Sequence, residues 1–410
     1  MGRPKYEVAD VLRLGGQAYR SSHSLSKAQL KAMQSIEQCR TAALSGHIDA
    51  CDQCGHIRIS YNSCRNRHCP KCQSLAREAW LEARSLELLP TGYFHLVFTL
   101  PSELHDLVRY NERLLYGALF AHAWAALSTL CADPRYLGAQ PGMVALLHTW
   151  GQNLHYHPHI HCIVPAGGLK HGNAWVAARK KFLAPVRALS SLFRAKFVSA
   201  LRSYYKAGLL RLDGLSIPLH DKAALGTFLD NLMAKDWVVY AKPPFAGPGH
   251  LLNYLGRYTH RVAIDNNRIV SIDEKTVCFL WRDYAHGNQN KTMRLSHQEF
   301  IRRFLQHILP ARLCKIRYYG ILSNRCRQHT LAVCRRALKV KPPKNPQKHS
   351  WQERYRLLTG IDWLICPQCR KGHMQTIAWI GTDRAPPALH RVNYIHSLPL
   401  PQTQVLTGHI

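Results

Sequence analysis

The chain has 410 residues, room for two or three domains and a sizeable core, and a hydrophobic fraction of 46% that excludes a disordered polymer. Lys and Arg number 55 against 24 Asp and Glu, a formal net charge of +31 with a sequence pI near 9.9. So large an excess, spread along the whole chain, repels itself unless a polyanion neutralises it; the expected partner is nucleic acid, with no membrane and no small-molecule substrate.

No apolar run reaches the roughly 18 residues of a spanning helix, and residues 1–7 lack the apolar core of a signal peptide. The expectation is a cytoplasmic, nucleoid-associated protein whose 14 Cys stay reduced, so that clustered ones point to metal.

In chain order, residues 26–43 have helical patterning and lead into a turn-rich stretch dense in Cys and His. Cys51-x2-Cys54 and Cys69-x2-Cys72 are separated by residues 55–68. Each Cys-x2-Cys makes a tight turn that aims two thiolates at one ion, and two of them complete a tetrahedral zinc site. Four sulfur ligands leave no open position for water, so the zinc expected here is structural. Cys39, His47, Cys64 and His68 crowd the same region and are candidates for a second site, with Cys64 an alternative member of the first. Arg58, Arg65, Arg67 and Lys71 make this head a candidate DNA surface, a protein-binding role being the competing reading.

From residue 86 strands and helices alternate. Residues 93–100 read as a buried strand ended by Pro101, and 103–130 as one or two helices begun at Ser102. Residues 143–150 and 159–164 read as strands joined by a polar turn, 189–206 and 222–234 as helices, and 237–240 as a short strand broken by the Pro/Gly-rich 243–249. A helix over 250–259 follows, then a meander at 262–264, 268–272 and 276–281 and a helix over 296–309. Lys242, and Trp237 and Trp281 with Arg282, are candidate contacts to single-stranded DNA. Residues 339–350 form a basic, Pro-containing linker; Cys366-x2-Cys369 beyond it is half a zinc site whose other ligands the sequence does not name. Past Pro386 and Pro387 there is no usable pattern.

Two motifs carry the chemistry. In His157-Pro158-His159-Ile160-His161, alternate side chains of a strand share a face, and Pro158 makes 157 the entrance, so His159 and His161 are the better pair. Two imidazoles on one strand face make a divalent-metal platform with room for a third ligand. In Asn253-Tyr254-Leu255-Gly256-Arg257-Tyr258-Thr259-His260-Arg261, the tyrosines are four apart and on a helix share a face; Arg257 and Arg261 share a neighbouring one, placed to grip phosphate.

His-x-His with Tyr-x3-Tyr resembles the HUH endonucleases with two tyrosines. Longer stretches resemble the rolling-circle transposases of the insertion sequence 91 family: CDQCGH…YNSCRNRHCPKCQ, HTWGQNL…HPHIHCIVPAGGL, WVVYAKPPF, YLGRYTHRVAI, WRDY and KIRYYGIL. The resemblance spans about residues 10–335 in order; the tail shares only CPQC, and Asp265 stands where a small polar residue was expected. It implies an α+β fold: a central antiparallel sheet flanked by helices, preceded by a helical zinc-binding domain. The domain reading is 1–85 for the head, 86–335 for the catalytic part and 336–410 for linker and tail. It implies too that His159 and His161 hold Mg2+ or Mn2+ and that Tyr254 and Tyr258 are nucleophiles. Related enzymes take a third ligand from Glu or Gln on the preceding strand; Gln152 is the choice here, His148 and His157 the alternatives. The implied activity is cleavage and rejoining of single-stranded DNA at element ends and target through a 5′-phosphotyrosine, with structural Zn2+ in the head. A plasmid replication initiator or relaxase with the same chemistry is one alternative, and a zinc-finger DNA-binding protein without catalysis another. A metallophosphoesterase would demand several Asp ligands that this acid-poor chain hardly offers.

Overall fold

A computed structural model describes residues 4–171, 173–179, 183–215, 219–245, 256, 263–283, 287–343 and 349–381. The chain opens with helices α1 (Val8–Ser22) and α2 (Lys27–Glu37), the hairpin β1 (Gly46–Cys51) and β2 (Ile57–Tyr61), and helix α3 (Gln73–Ser85). Strand β3 (Tyr93–Thr99) leads through α4 (His105–Tyr110) and α5 (Glu112–Ala132) to the long hairpin β4 (Gly142–Trp150) and β5 (Tyr156–Pro165). A small hairpin, β6 (Gly167–Leu169) and β7 (Trp175–Ala177), is followed by α6 (Val186–Lys206), α7 (Lys222–Ala234) and β8 (Val239–Phe245). The meander β9 (Ile269–Ile272), β10 (Thr276–Asp283) and β11 (Gln289–Ser296) precedes α8 (His297–Leu305), β12 (Ile316–Gly320), α9 (Arg327–Ala337), α10 (Trp351–Thr359) and β13 (Met374–Ile380).

The central sheet has the order β12-β4-β5-β3-β8, every pair antiparallel. One face carries Phe94, Leu96 and Phe98, Ala145 and Leu147, and Ile160, Cys162 and Val164, all buried with α5, α6 and α7 in the largest core. This is the expected α+β class, an antiparallel sheet with helices. By length and composition α5 is apolar enough to cross a membrane, contrary to the sequence reading. Here its Leu115, Tyr116, Leu119, Phe120, Ala123 and Leu127 are buried in that core.

A second core joins the start of the chain to the meander and α8: Val8, Leu12, Met33 and Ile36 from α1 and α2 pack with Val277, Phe279, Phe300 and Phe304. Helix α1 escaped the sequence reading because Gly15-Gly16 looks like an interruption. Its helix instead runs against α8 there; a Cβ at Gly15 would lie 2.7 Å from the His297 Cβ. Ser26 accepts from Gln29 N–H and Ser296 from Glu299 N–H at the starts of α2 and α8, whereas Ser102, expected to begin a helix, lies inside a 3-10 turn that follows Pro101.

The meander differs from expectation at its start. Ala263 and Ile264 belong to no strand, and the third strand is β11. A third sheet, β13-β1-β2, brings the segment read as a separate tail back onto the head. All 14 cysteines are free of disulfides.

Candidate metal centre and nucleic-acid site

The other face of the central sheet is polar at its middle. Register sets His148 directly opposite His159, and His161 opposite both Leu146 and Val97, so all share one face with His95, two residues before Val97. Ring nitrogens of His148, His159 and His161 lie within 4.8 Å of one another. His159 Nε2 is 3.1 Å from His161 Nε2, and His159 Nδ1 is 2.7 Å from the His157 carbonyl. His148 stacks on Trp150 with ring centroids 4.5 Å apart. Behind this row His95 Nε2 lies 2.9 Å from His161 Nδ1. Burial pushes His159 down to about 4, His95 to about 3, and His161 well below the ordinary imidazole range. At neutral pH these rings are therefore neutral, the form that offers a lone pair to a cation.

The candidates for the third ligand take up different positions. Gln152 sits in the hairpin turn, beyond the last paired position Trp150–Tyr156. Its carbonyl accepts from Arg268, while Leu154 plugs the same turn into the second core. His157 is exposed, with its ring centroid 5.1 Å from that of His159, and is not in the set. His148, an alternative on sequence grounds, is the one whose ring nitrogens group with those of His159 and His161. His95 was missed because it stands inside the run YFHLVFTL and meets His161 only through strand pairing.

The head reaches this face through α3. Its Trp80 and Leu81, with Leu88 beyond it, pack on Tyr93, Leu146 and Ile163, on the histidine side of the sheet. Trp80 Nε1 and Arg84 Nη1 donate to the Tyr318 hydroxyl of β12 at 3.2 and 2.7 Å. A Cβ at Gly256, midway between the two tyrosines, would lie 3.0 Å from Leu81 Cδ1. Tyr254, Arg257, Tyr258 and Arg261 themselves lie outside the described residues.

The cysteines assort differently from the expected set. Cys51 and Cys54 do not meet Cys69 and Cys72. One group is Cys39, Cys64, Cys69 and Cys72, with Cys72 Sγ 3.5 Å from Cys39 Sγ and 3.6 Å from Cys64 Sγ. The other is Cys51, Cys54, Cys366 and Cys369. The reason is spatial: Cys39, just past α2, lies within the second core beside the loop 64–72, whereas β1 carries Cys51 away to meet β13. Hydrogen bonds from Cys39, Cys64 and Cys69 pull the Cys72 thiol strongly down. The first group caps α3, since Cys72 is the residue before its first turn.

His47 and His68 join neither group. His47 faces Asp49 at 3.6 Å. His68 Nε2 accepts from Leu309 N–H at 3.1 Å and is held by burial at about 3, so it stays neutral. Arg67, expected on DNA, gives its guanidinium to the carbonyls of Leu309, Pro310 and Leu313 and pins the cysteine loop to the approach to β12. Trp237 is buried and donates to the Leu232 carbonyl, which removes it as a stacking platform. Arg65 is exposed; so is Lys242, paired across strands with His95 and therefore on the histidine face.

A strongly basic chain with a histidine platform beside a cysteine-stapled head is the equipment of a metal-using protein that handles DNA. Residues 142–329 match the family described as "Putative transposase", and residues 11–100 the "Transposase zinc-binding domain". "Putative transposase y4qJ" of Sinorhizobium fredii is 50% identical over 392 residues, covering 94% of this chain and 98% of that protein. The "Transposase for insertion sequence element IS801" of Pseudomonas savastanoi pv. phaseolicola is 28% identical over 362 residues, covering 86% and 84%. No solved structure matches. The chain belongs to the transposases of the insertion sequence 91 family, DNA-cleaving enzymes of mobile elements, and structural Zn2+ is a cofactor of its head.

Proposed function

We propose that this transposase cleaves and rejoins single-stranded DNA at the ends of its element, with Tyr254 and Tyr258 as nucleophiles and a divalent ion held by His148, His159 and His161. The observation that carries the reading is the convergence of three imidazoles, two of them kept neutral by burial, on one side of the sheet. That donor set fits a first-row cation such as Mn2+ better than Mg2+, which prefers oxygen ligands. When bound, the cation offsets the negative charge on the non-bridging oxygens of the scissile phosphate. The seat of Gly256 against Leu81, which packs on the histidine face, supports bringing the tyrosine segment to the same place.

In this reading a tyrosine Oη attacks phosphorus in line and the bond to the 3′ oxygen breaks. The 5′ side remains as phosphotyrosine, and the departing oxygen takes up a proton to leave a 3′-hydroxyl. The phenolic proton goes to a base, a role open to His260 beside the tyrosines. Because the ester keeps the bond energy, rejoining needs no ATP, and the second tyrosine serves a second cleavage or transfer, as rolling-circle transposition requires. Arg257, Arg261, Lys242 and Arg65 serve as phosphate contacts.

The test is a covalent adduct. Wild type, Tyr254→Phe, Tyr258→Phe and the double variant are incubated with Mn2+ or Mg2+ and labelled single-stranded DNA from the element's ends. A protein–DNA adduct on denaturing gels that EDTA abolishes and the double variant lacks is the expected result. Binding of that DNA by wild type with no adduct under any divalent ion would overturn the catalytic reading in favour of a DNA-binding zinc protein.

A further inference from the structure

We propose that Cys51, Cys54, Cys366 and Cys369 form a second structural zinc site, which acts as a clasp fixing residues 349–381 to the head. The zinc-binding-domain match ends at residue 100 and includes only half of these ligands. Four sulfurs around one Zn2+ at a Zn–S distance of about 2.3 Å lie roughly 3.8 Å apart. Cys51 Sγ is 3.7 Å from Cys369 Sγ, and Cys54 Sγ is 3.7 Å from Cys366 Sγ. A disulfide would need about 2.05 Å.

The two halves repeat one backbone design. Gly55 N–H donates to Cys51 O at 3.1 Å, and Arg370 N–H donates to Cys366 O at 3.0 Å. In each, the residue after the second cysteine is left-handed, Gly55 at φ +68° and Arg370 at φ +59°. Cys51 N–H donates to His56 O at 2.9 Å and Cys366 N–H to Gly372 O at 2.8 Å, closing both turns alike. Backbone N–H groups also point at sulfur, Gln53 to Cys51 at 3.4 Å and Gly372 to Cys369 at 3.3 Å, as suits thiolates. Gly372 is required by the approach, since a Cβ there would lie 2.4 Å from Cys51 Sγ.

Beyond the pairing of β13 with β1 and a few polar contacts, little apolar packing holds this part of the molecule. Among residues 349–381 only Cys366, Gly372 and Met374 are buried, and α10 buries no residue. Their apolar cluster consists of Cys51, Cys366 and Met374 with Cys369 packed beside it. A segment without a core needs a staple, and a metal closing a loop from residue 54 to residue 366 is one that the chain supplies. Once closed, polar contacts align it: Asp49 accepts from Arg58 and Thr376, and the Arg58 guanidinium lies 4.1 Å from the Trp363 ring centroid. Glu82 of α3 accepts from His349 and Arg354, so the clasped segment also braces the helix that crosses the histidine face.

The full-length chain, purified under reducing conditions, is analysed for metal by mass spectrometry and for backbone protection by hydrogen exchange. Two zinc per wild-type chain are expected, one in C366S/C369S and one in C64S/C72S. In C366S/C369S the amides of 374–380 exchange on the order of 100-fold faster while those of β3, β4 and β5 are unchanged. Stepwise chelation of wild type checks this without substitution: β13 protection falls with release of one zinc equivalent. One zinc in wild type, two retained in C366S/C369S, or iron in place of zinc would overturn the proposal.

Discussion

The two faces of the central sheet carry opposite chemistry on one backbone. On one, Leu96, Phe98, Ile160 and Cys162 lie beneath α5, α6 and α7 and are all but sealed from solvent. On the other, the residues in alternate register are His95, His148, His159 and His161, and beside them Tyr93, Leu146 and Ile163 pack against Trp80 and Leu81 of α3. Alternation puts Ile160 between the two histidines of β5, so the core that stabilises the strand also aims the imidazoles. The apolar core and the proposed ion site are thus separable by face, although adjacent residues supply them.

The largest effect expected is on the apolar face. Phe98 is fully buried and meets Phe193 edge-on at 5.1 Å, so Phe98→Ala costs about 3–5 kcal/mol in urea unfolding. The remaining folded protein should bind Mn2+ as wild type does; parallel loss of ion affinity would show the faces to be coupled.

His307 provides a structural histidine to set against the ligands. Thr149 Oγ1 lies 3.1 Å from its Nδ1 and the Leu154 carbonyl 3.2 Å from its Nε2, and burial lowers its pKa from 6.5 to about 4. Between those values the unfolded chain binds the proton and the folded chain does not. Stability is therefore present above pH 6.5 and lost as pH falls, by roughly 3 kcal/mol once pH is below 4. Urea midpoints across pH 7 to 4.5 should fall less steeply in His307→Gln than in wild type; identical slopes would assign the acid sensitivity elsewhere.

On the histidine face, His148→Ala should weaken Mn2+ binding by more than about 100-fold in calorimetry without DNA, beyond the ~10–100-fold typical of outer partners. Gln152→Ala should leave it unchanged, and the reverse pattern would restore Gln152 as the ligand. The smallest effect belongs to His95, whose Nε2 against His161 Nδ1 positions that ring. His95→Leu is expected to weaken Mn2+ binding about 10-fold, with His95→Gln recovering part of it through an acceptor oxygen. Equal affinity in both would reduce His95 to packing.

Much of this arrangement was legible. His159 and His161 share a strand face because the side-chain period of a strand is two, and Cys-x2-Cys announces a metal turn wherever it occurs. The segments 93–100, 143–150 and 159–164 were readable as strands, since β-rich apolar runs bounded by Pro or polar turns have few other uses. The strands β11 and β12 were not, because β11 is polar and β12 short, and each is held by pairing with a neighbour; β13 was missed beside a Cys-x2-Cys read only as a metal turn. Arg67 misled for a similar reason: an arginine beside cysteines looks the same in sequence whether it meets phosphate or three carbonyls.

By itself, then, the sequence determined the donor types, their local spacing, the charge and the placing of β4 and β5, all properties of short segments. The tertiary structure alone decided which cysteines come together, that His148 lies beside His159 and His161, and that His95 stands behind His161. A Cys-x2-Cys turn supplies half of a tetrahedron and is indifferent to what supplies the rest. Strand register and the return of the chain make that choice, and neither is written in any one stretch of residues.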